Sequence, residues 1–357
     1  MQTFAQKEIA MKATIKDIAK KVGVNPSTVS RVINGTASIS SETKEKIQEA
    51  MRELDYHPNS LARSLVNGST FTIGLVIDAG DSNAFSNAFF IRSVSAIEMV
   101  TQERGYNLLI TNDSNRENEN AVKNLVLENK VDGVILPVSC MSEELVELLT
   151  QKDFPFVVMG EPESGLERNY WVDMNNENGS RLAVEHLIDA GYRHPILFVE
   201  NKAAMFEKKR ILGFQKQLDL RGIKGGDLLV IECGTGAEKI RNKAEGLLEQ
   251  CPGVDSIICT NNIVAFHVMK ELKRGGVKIP QDMGIITFDN YPLAEYMEPP
   301  LTVVDVDTYK LGELAANILF DKMKKEERKE REFLVDTQII VRGSTQRSGF
   351  GRKEEER

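Results

Sequence analysis

The chain has 357 residues, a formal net charge of −8 and 41% hydrophobic residues. That length exceeds what one small core organises, so two or more domains are expected, and the composition excludes a disordered or fibrous chain. No stretch approaches the roughly 18 apolar residues of a membrane helix, and the opening MQTFAQKEIAMK lacks the apolar centre of a secretion signal, so a cytoplasmic protein with no membrane partner is expected.

Residues 1–12 read as a disordered extension, with Met11 as a second candidate start. From there to residue 70 the pattern is helical, with no strand run. Thr14 followed by Asp17 resembles a capping box, and Ile15, Ile18, Ala19 and Val22 recur at helical spacing up to Gly23. Asn25 is a good N-cap, and Pro26 fits the first helical position. The following stretch, STVSRVIN, divides cleanly. Ser27, Thr28, Ser30 and Arg31 are polar, whereas Val29, Val32 and Ile33 form one apolar stripe. A third helix starts near Ser40 or Ser41 and carries Ile47, Ala50, Met51 and Leu54. Then NSLARSL offers about two more turns between Asn59 and Asn67-Gly68. Residues 1–70 hold ten Lys and Arg against seven Asp and Glu, a balance of +3 that leaves −11 on the remainder. This split points to a small basic module on an acidic body, although a balance of +3 is common on any helical surface.

Two short helices joined by VGVN, the second opening on polar residues, read as a helix-turn-helix, although any helical hairpin in a bundle shares the periodicity. The unit would place the start of its second helix in the major groove. Arg31 can pair with a guanine edge, and the helix start favours a phosphate.

From Phe71 apolar runs alternate with helical stretches. FTIGLVI, YNLLIT, VDGVILP, FPFVVMG, PILFVE, DLLVIE, VDSIICT, MGIITF and TVVDVD read as strands, with FLVDTQIIV near the end. Helix-like segments at 90–104, 117–129, 142–152, 179–190, 206–221, 237–250 and 262–274 separate most of them. This alternation predicts an α/β fold of parallel sheets covered on both faces. The strand count predicts two lobes, with a ligand cleft between them. No G-x-x-x-x-G-K-[ST], G-x-S-x-G or H-E-x-x-H motif occurs, so no enzyme is expected. Cys140, Cys233, Cys251 and Cys259 lack C-x-x-C or His at metal spacing, so no metal or cofactor is expected.

The stretch TIKDIAKKVGVNPSTVSRVINGTASISSETKEKIQEAMRELDYHPNSLARSL closely resembles the LacI/GalR family of bacterial transcription regulators. DGVILP, DMNNENGSRLAVEHLIDAGYRHPILFV, RILGF, GGVKIPQDMGIITFDN and PPLTVVDVD extend the resemblance over roughly residues 13–343. It implies a DNA-binding headpiece at 13–58, a hinge helix and linker at 59–70, and a two-lobed core at 71–343 like periplasmic sugar-binding proteins. The first lobe is expected at about 71–174 and 303–330, the second at about 175–302 and 331–343, with a disordered tail at 344–357. It further implies a homodimer on near-palindromic double-stranded operator DNA. Pro26, Ser27 and Arg31 match base-reading positions; Thr14, Thr28, Ser30 and Asn34 match phosphate or supporting contacts. In the hinge, Asn59, Ala62, Arg63 and Leu65 match DNA-contacting positions, with Leu65 as a minor-groove wedge.

The resemblance also implies a small effector, a sugar, between the lobes. Arg210, Asn261 and Asp289 match ligand-gripping positions, and their donors and acceptors suit hydroxyls. Phe85, Phe89, Phe90 and Trp171 are candidates to stack on a pyranose face, with core packing as the alternative. The sequence departs from the family at Gly160, where some members carry an acid (Glu161 follows), at Asn262, where many carry Asp, and at Val306. MGEP and SNAFSNAFF look most like maltose-type repressors. A phosphorylated metabolite or a protein corepressor remains the alternative effector, and a sugar-binding protein without a DNA role is a further alternative.

Overall fold

The structure is a computed structural model that describes residues 13–34, 39–56, 68–78, 88–113, 121–163, 169–326 and 328–347. It divides into two compact units, Met1–Phe71 and Thr72–Arg357.

The first unit packs α1 (Ile15–Val22), α2 (Pro26–Asn34) and α3 (Ser41–Glu53) around Ile18, Ala19, Val29, Ile47 and Ala50. The Asp17 carboxylate accepts from the Thr14 backbone N–H and hydroxyl at 2.9 and 2.7 Å, which fixes the start of α1. Gly23 ends that helix at φ 76°, a conformation that favours glycine. Asn25 accepts from the backbone N–H of Ser27 at 3.1 Å and so caps α2. Ion pairing between Lys21 and Glu53 ties α1 to α3.

The second unit contains two sheets. The first comprises β1 (Thr72–Asp78), β2 (Asn107–Asp113), β3 (Gly133–Pro137), β4 (Phe156–Met159), β5 (Trp171–Met174) and β11 (Glu332–Val335), in the order β11-β5-β4-β3-β1-β2. The second comprises β6 (Pro195–Val199), β7 (Val230–Glu232), β8 (Ser256–Cys259), β9 (Gly284–Phe288), β10 (Thr302–Val306) and β12 (Thr337–Ile340), in the order β12-β10-β9-β8-β6-β7. All pairings are parallel except β10 with β12. The central strands are buried throughout, as the uninterrupted apolar runs require.

Helices cover the sheets: α4 (Ala88–Glu103), α5 (Ala121–Leu127), α6 (Glu143–Gln151) and α13 (Thr308–Met323) on the first, and α7 (Asn176–Asp189), α8 (Met205–Leu220), α9 (Ala237–Glu245), α10 (Leu247–Gln250), α11 (Asn262–Arg274) and α12 (Pro292–Tyr296) with the second. Two close helix contacts repeat between the lobes. In one, a Cβ on Gly312 of α13 would lie 2.2 Å from the Ser93 carbonyl of α4; in the other, a Cβ on Gly213 of α8 would lie 2.1 Å from the Glu177 carbonyl of α7. Only glycine allows either approach.

The chain crosses between sheets after β5, after β10 and between β11 and β12. This corrects the expected boundaries at the second and third crossings. TVVDVD belongs to the second sheet, where Thr302–Val304 pairs with Ile286–Phe288, and β11 belongs to the first, where Glu332–Val335 pairs with Trp171–Met174. Both runs are apolar enough for either sheet, so only partner geometry separates them. A second correction concerns the tail. Residues 344–347 are built into the second lobe. The Ser344 hydroxyl accepts from the Thr302 N–H at 2.8 Å and donates to the Ile285 carbonyl at 2.6 Å, and Arg347 lies 3.9 Å over the Tyr192 ring. Residues 348–357 and the extension 1–12 lie outside the described residues.

Candidate nucleic-acid interface and effector cleft

The polar and apolar residues of α2 separate as the sequence pattern requires. Val29 is fully buried and Val32 and Ile33 pack against the same core, whereas Pro26, Ser27 and Arg31 are exposed, and Thr28 and Ser30 are partly so. Ser27 donates its hydroxyl to the Asn25 side chain at 3.0 Å, which orients it at the helix start. Thr14 is exposed at the start of α1. An exposed cation and hydroxyls on the first turns of a rigid helix can reach base edges and phosphates. Asn34 ends α2 and its side chain lies outside the described residues, as do Asn59, Ala62, Arg63 and Leu65.

In the core a cleft of about 560 Å³ opens between the lobes, at the carboxyl ends of both sets of strands. Its centre is Arg210 of α8, 5% exposed. The Nε donates to the Asn176 side chain at 2.9 Å, and Nη1 to the Thr260 carbonyl and hydroxyl at 2.7 and 3.0 Å. The guanidinium lies 3.7 Å over the Phe288 ring and 5.0 Å over that of Phe206. Among the described residues Nη2 meets only the Met174 sulfur, at 3.7 Å, a weak acceptor. The Arg210 plane is therefore fixed while one donor edge stays available to a ligand. Behind it the fully buried Glu207 accepts from the Thr260 hydroxyl at 2.5 Å and from the Glu200 N–H at 3.3 Å.

Asp289 faces the same cleft at φ 69°, a strained conformation that Asp tolerates better than most residues. The buried Asn262 amide holds it there by donating to the carbonyls of Phe288 and Asp289 at 3.0 and 2.8 Å. An Asp at 262 would have no hydrogens to donate to these carbonyls. Burial pushes the Asp289 carboxyl above its ordinary pKa, against the pull of Arg210. Its Oδ1 is buried without a partner among the described residues.

From the first lobe come Gly160, Glu161 and Asp173. Gly160 has φ 101°, and a Cβ there would lie 2.8 Å from the Val138 side chain, so a side chain at this position would be strained. Glu161 instead pairs with Lys209 of α8 at 2.7 Å, joining the lobes. Asp173 accepts from the Glu161 N–H at 3.1 Å, the Met174 N–H at 2.7 Å and the Asn176 amide at 3.4 Å. Burial pushes its pKa up to about 6, against these donors and Arg210.

Two expected cleft residues lie elsewhere. Trp171 is 3% exposed in the first-lobe core with Phe156 and Val158, because it opens β5, whereas ligands gather beyond the carboxyl ends of strands. Asn261 caps α11, accepting from the Val264 N–H at 2.9 Å and donating to Glu200 at 2.7 Å, and does not line the cleft. Phe85 lies outside the described residues; Phe89 and Phe90 sit in the first turn of α4 with side chains outside them. Asp173, Asn176, Phe206 and Tyr291 line the cleft although the motif reading did not single them out. The only signal for Asp173 was an acid interrupting an apolar strand.

A three-helix unit with a polar-faced second helix, followed by two mostly parallel-sheet lobes around a cleft that holds Arg210, Asp173 and Asp289, defines a ligand-responsive DNA-binding regulator. Residues 14–59 match the model of bacterial regulatory proteins of the lacI family, and 184–345 match a periplasmic binding protein-like domain. The repressor PurR of Vibrio campbellii is 31% identical over 341 residues, covering 94% of this chain and 99% of its own. The regulator CelR in complex with cellobiose is similar at 26% identity, with a TM-score of 0.68 over 93% of this chain and 99% of that one. The lac repressor dimer bound to operator has a TM-score of 0.77 over 93% of this chain and 99% of that one, at 22% identity. The chain belongs to the lacI family: it is a DNA-binding repressor with an effector-binding core.

Proposed function

We propose that the protein represses transcription as a homodimer on a near-palindromic operator, and that a neutral sugar of about disaccharide size, bound between the lobes, relieves repression. The observation that carries the sugar reading is the cleft's chemistry. Arg210 offers a fixed donor edge, Asp289 and Asp173 offer acceptors, and Phe206 and Tyr291 line the cleft with aromatic rings. Besides Glu161, which Lys209 neutralises, three carboxylates (Glu163, Asp173 and Asp289) line this cleft against one guanidinium. That balance repels a phosphate or carboxylate ligand, which argues against the phosphorylated-metabolite alternative. CelR, a regulator of similar fold, is described with cellobiose.

Dimerisation is supported by exposed apolar side chains on both lobes: Ile91 and Met99 of α4 with Ile110 of β2, and Ile263 and Phe266 of α11. Arg31 and Ser27 carry direct base readout; Pro26 contributes shape. The hinge segment at 59–66 that the family resemblance implies lies outside the described residues. A ligand that favours one arrangement of the lobes releases the operator only if that arrangement disfavours the paired hinges.

Calorimetric titration with glucose, maltose, trehalose and glucose 6-phosphate tests the reading. Heat from a neutral sugar, and none from the phosphate, is expected. Binding of the phosphate alone would reverse it.

A further inference from the structure

Beside the effector cleft, and on the other side of Glu161, lies a recess of about 310 Å³ between α7, α8 and the β5–β11 edge. Each compartment falls within the size range of small-molecule sites. Glu161, Met174 and Asn176 face both. The wall between them is formed by the buried Met174 and Asn176 and by the Glu161–Lys209 ion pair, whose side chains keep 20% and 34% of their exposure. Both side chains keep some contact with water, so this pair costs less to break than a fully buried one. The backbone of the wall is fixed, because the Glu161 N–H is held by Asp173 at 3.1 Å. Rotation of two long side chains therefore joins the compartments without moving either lobe.

The recess has the chemistry of a saccharide subsite. Leu334 and Leu220 offer aliphatic surface, and Asn178, Lys216 and Glu177 offer hydrogen-bonding groups. Its charges are already paired: Lys216 with Glu177 at 2.7 Å and Arg181 with Glu185 at 2.9 Å. An ionic ligand would have to displace these partners, whereas neutral hydroxyls add to them. We propose that the recess is a second effector subsite, reached through the Glu161–Lys209 pair, so that the protein accommodates a linear oligosaccharide longer than two units. This proposal rests on the sugar reading of the cleft.

The test is calorimetric titration of the full-length protein with di-, tri- and tetrasaccharides of the maltose and cellobiose series. In one series, affinity should rise about tenfold from the disaccharide to the longer chains, the scale of one or two added hydrogen bonds. Leu334→Trp fills the recess from a half-exposed position; it should abolish that gain and leave disaccharide affinity unchanged. Lys216→Ala, at an exposed rim residue, should weaken the longer chains alone. Disaccharide binding with no gain for longer chains, or a gain that survives both substitutions, would overturn the subsite and leave the sugar reading standing. Silence of every saccharide in both series would overturn the two together.

Discussion

The headpiece and the effector cleft solve opposite problems. In the headpiece the candidate DNA-contacting side chains Pro26, Ser27 and Arg31 are exposed on the first turns of one helix, and their apolar neighbours Val29, Val32 and Ile33 turn inward with Ile47. In the cleft they come from distant segments, around residues 160, 173, 210 and 289, and are held by buried partners. Removing a headpiece contact should therefore cost binding without cost to folding. Removing a cleft residue should cost both.

The largest expected effect is at Arg210. Arg210→Met takes the donors from Asn176 and Thr260 and leaves Glu207, Asp173 and Asp289 without their counter-charge. Denaturant unfolding should show the core destabilised by about 3–5 kcal/mol, the scale for one partner lost from a buried ionic network. Ile47→Ala, at a fully buried headpiece position, should cost about 2–5 kcal/mol in the headpiece alone. Loss of DNA binding with sugar binding intact, followed by gel shift and calorimetry, would sharpen the contrast. Coupled loss of both would break it.

Arg31→Ala should cost about 1–3 kcal/mol of operator affinity and relax preference for one guanine, with the melting temperature unchanged. A selection from random duplexes reads both. Asn261→Ala removes the α11 cap and should cost about 0.5–2 kcal/mol of stability, with effector affinity unchanged by titration.

The last contrast is pH. The folded pKa of Asp173 stands near 6, above the ordinary 3.8, so its ionised form opposes folding. That penalty is full above about pH 6 and is relieved as pH falls through that value toward about pH 4. Asp173→Asn lacks this titration. Whatever constant offset its lost acceptor adds, the stability difference should shift in favour of the parent as pH falls across that window. A difference independent of pH would show Asp173 to be solvated.

The same comparison explains what was legible in the sequence. The polar face of α2 follows from helical spacing alone, so the exposure of Ser27 and Arg31 could be read from adjacent residues, whereas their base-reading role was implied by the family resemblance. The alternation of strands and helices likewise gave two lobes. Which lobe receives 302–306 and which 332–335 depends on pairing between strands far apart in the chain, and that periodicity does not encode. Trp171 read as a stacking platform because aromatic residues suit sugars, but its place at the start of β5 puts it in the core. Asn261 and Asn262 are adjacent amides; only the structure separates the helix cap from the residue that holds Asp289. Ser344 and Thr345 looked like tail because their bonding partners lie about 40 or more residues away.

The central claim is that occupancy of the Arg210-centred cleft controls operator binding by the headpiece. The most direct measurement selects bound sequences from a random duplex pool, with and without the saccharide that binds most tightly, for the parent and for Arg210→Lys, which keeps the charge but loses the fixed donor fork. A palindromic consensus is expected for both proteins, released by saccharide from the parent and retained by the variant. Equal release from both, or a consensus that the bound saccharide leaves untouched in the parent, would contradict it.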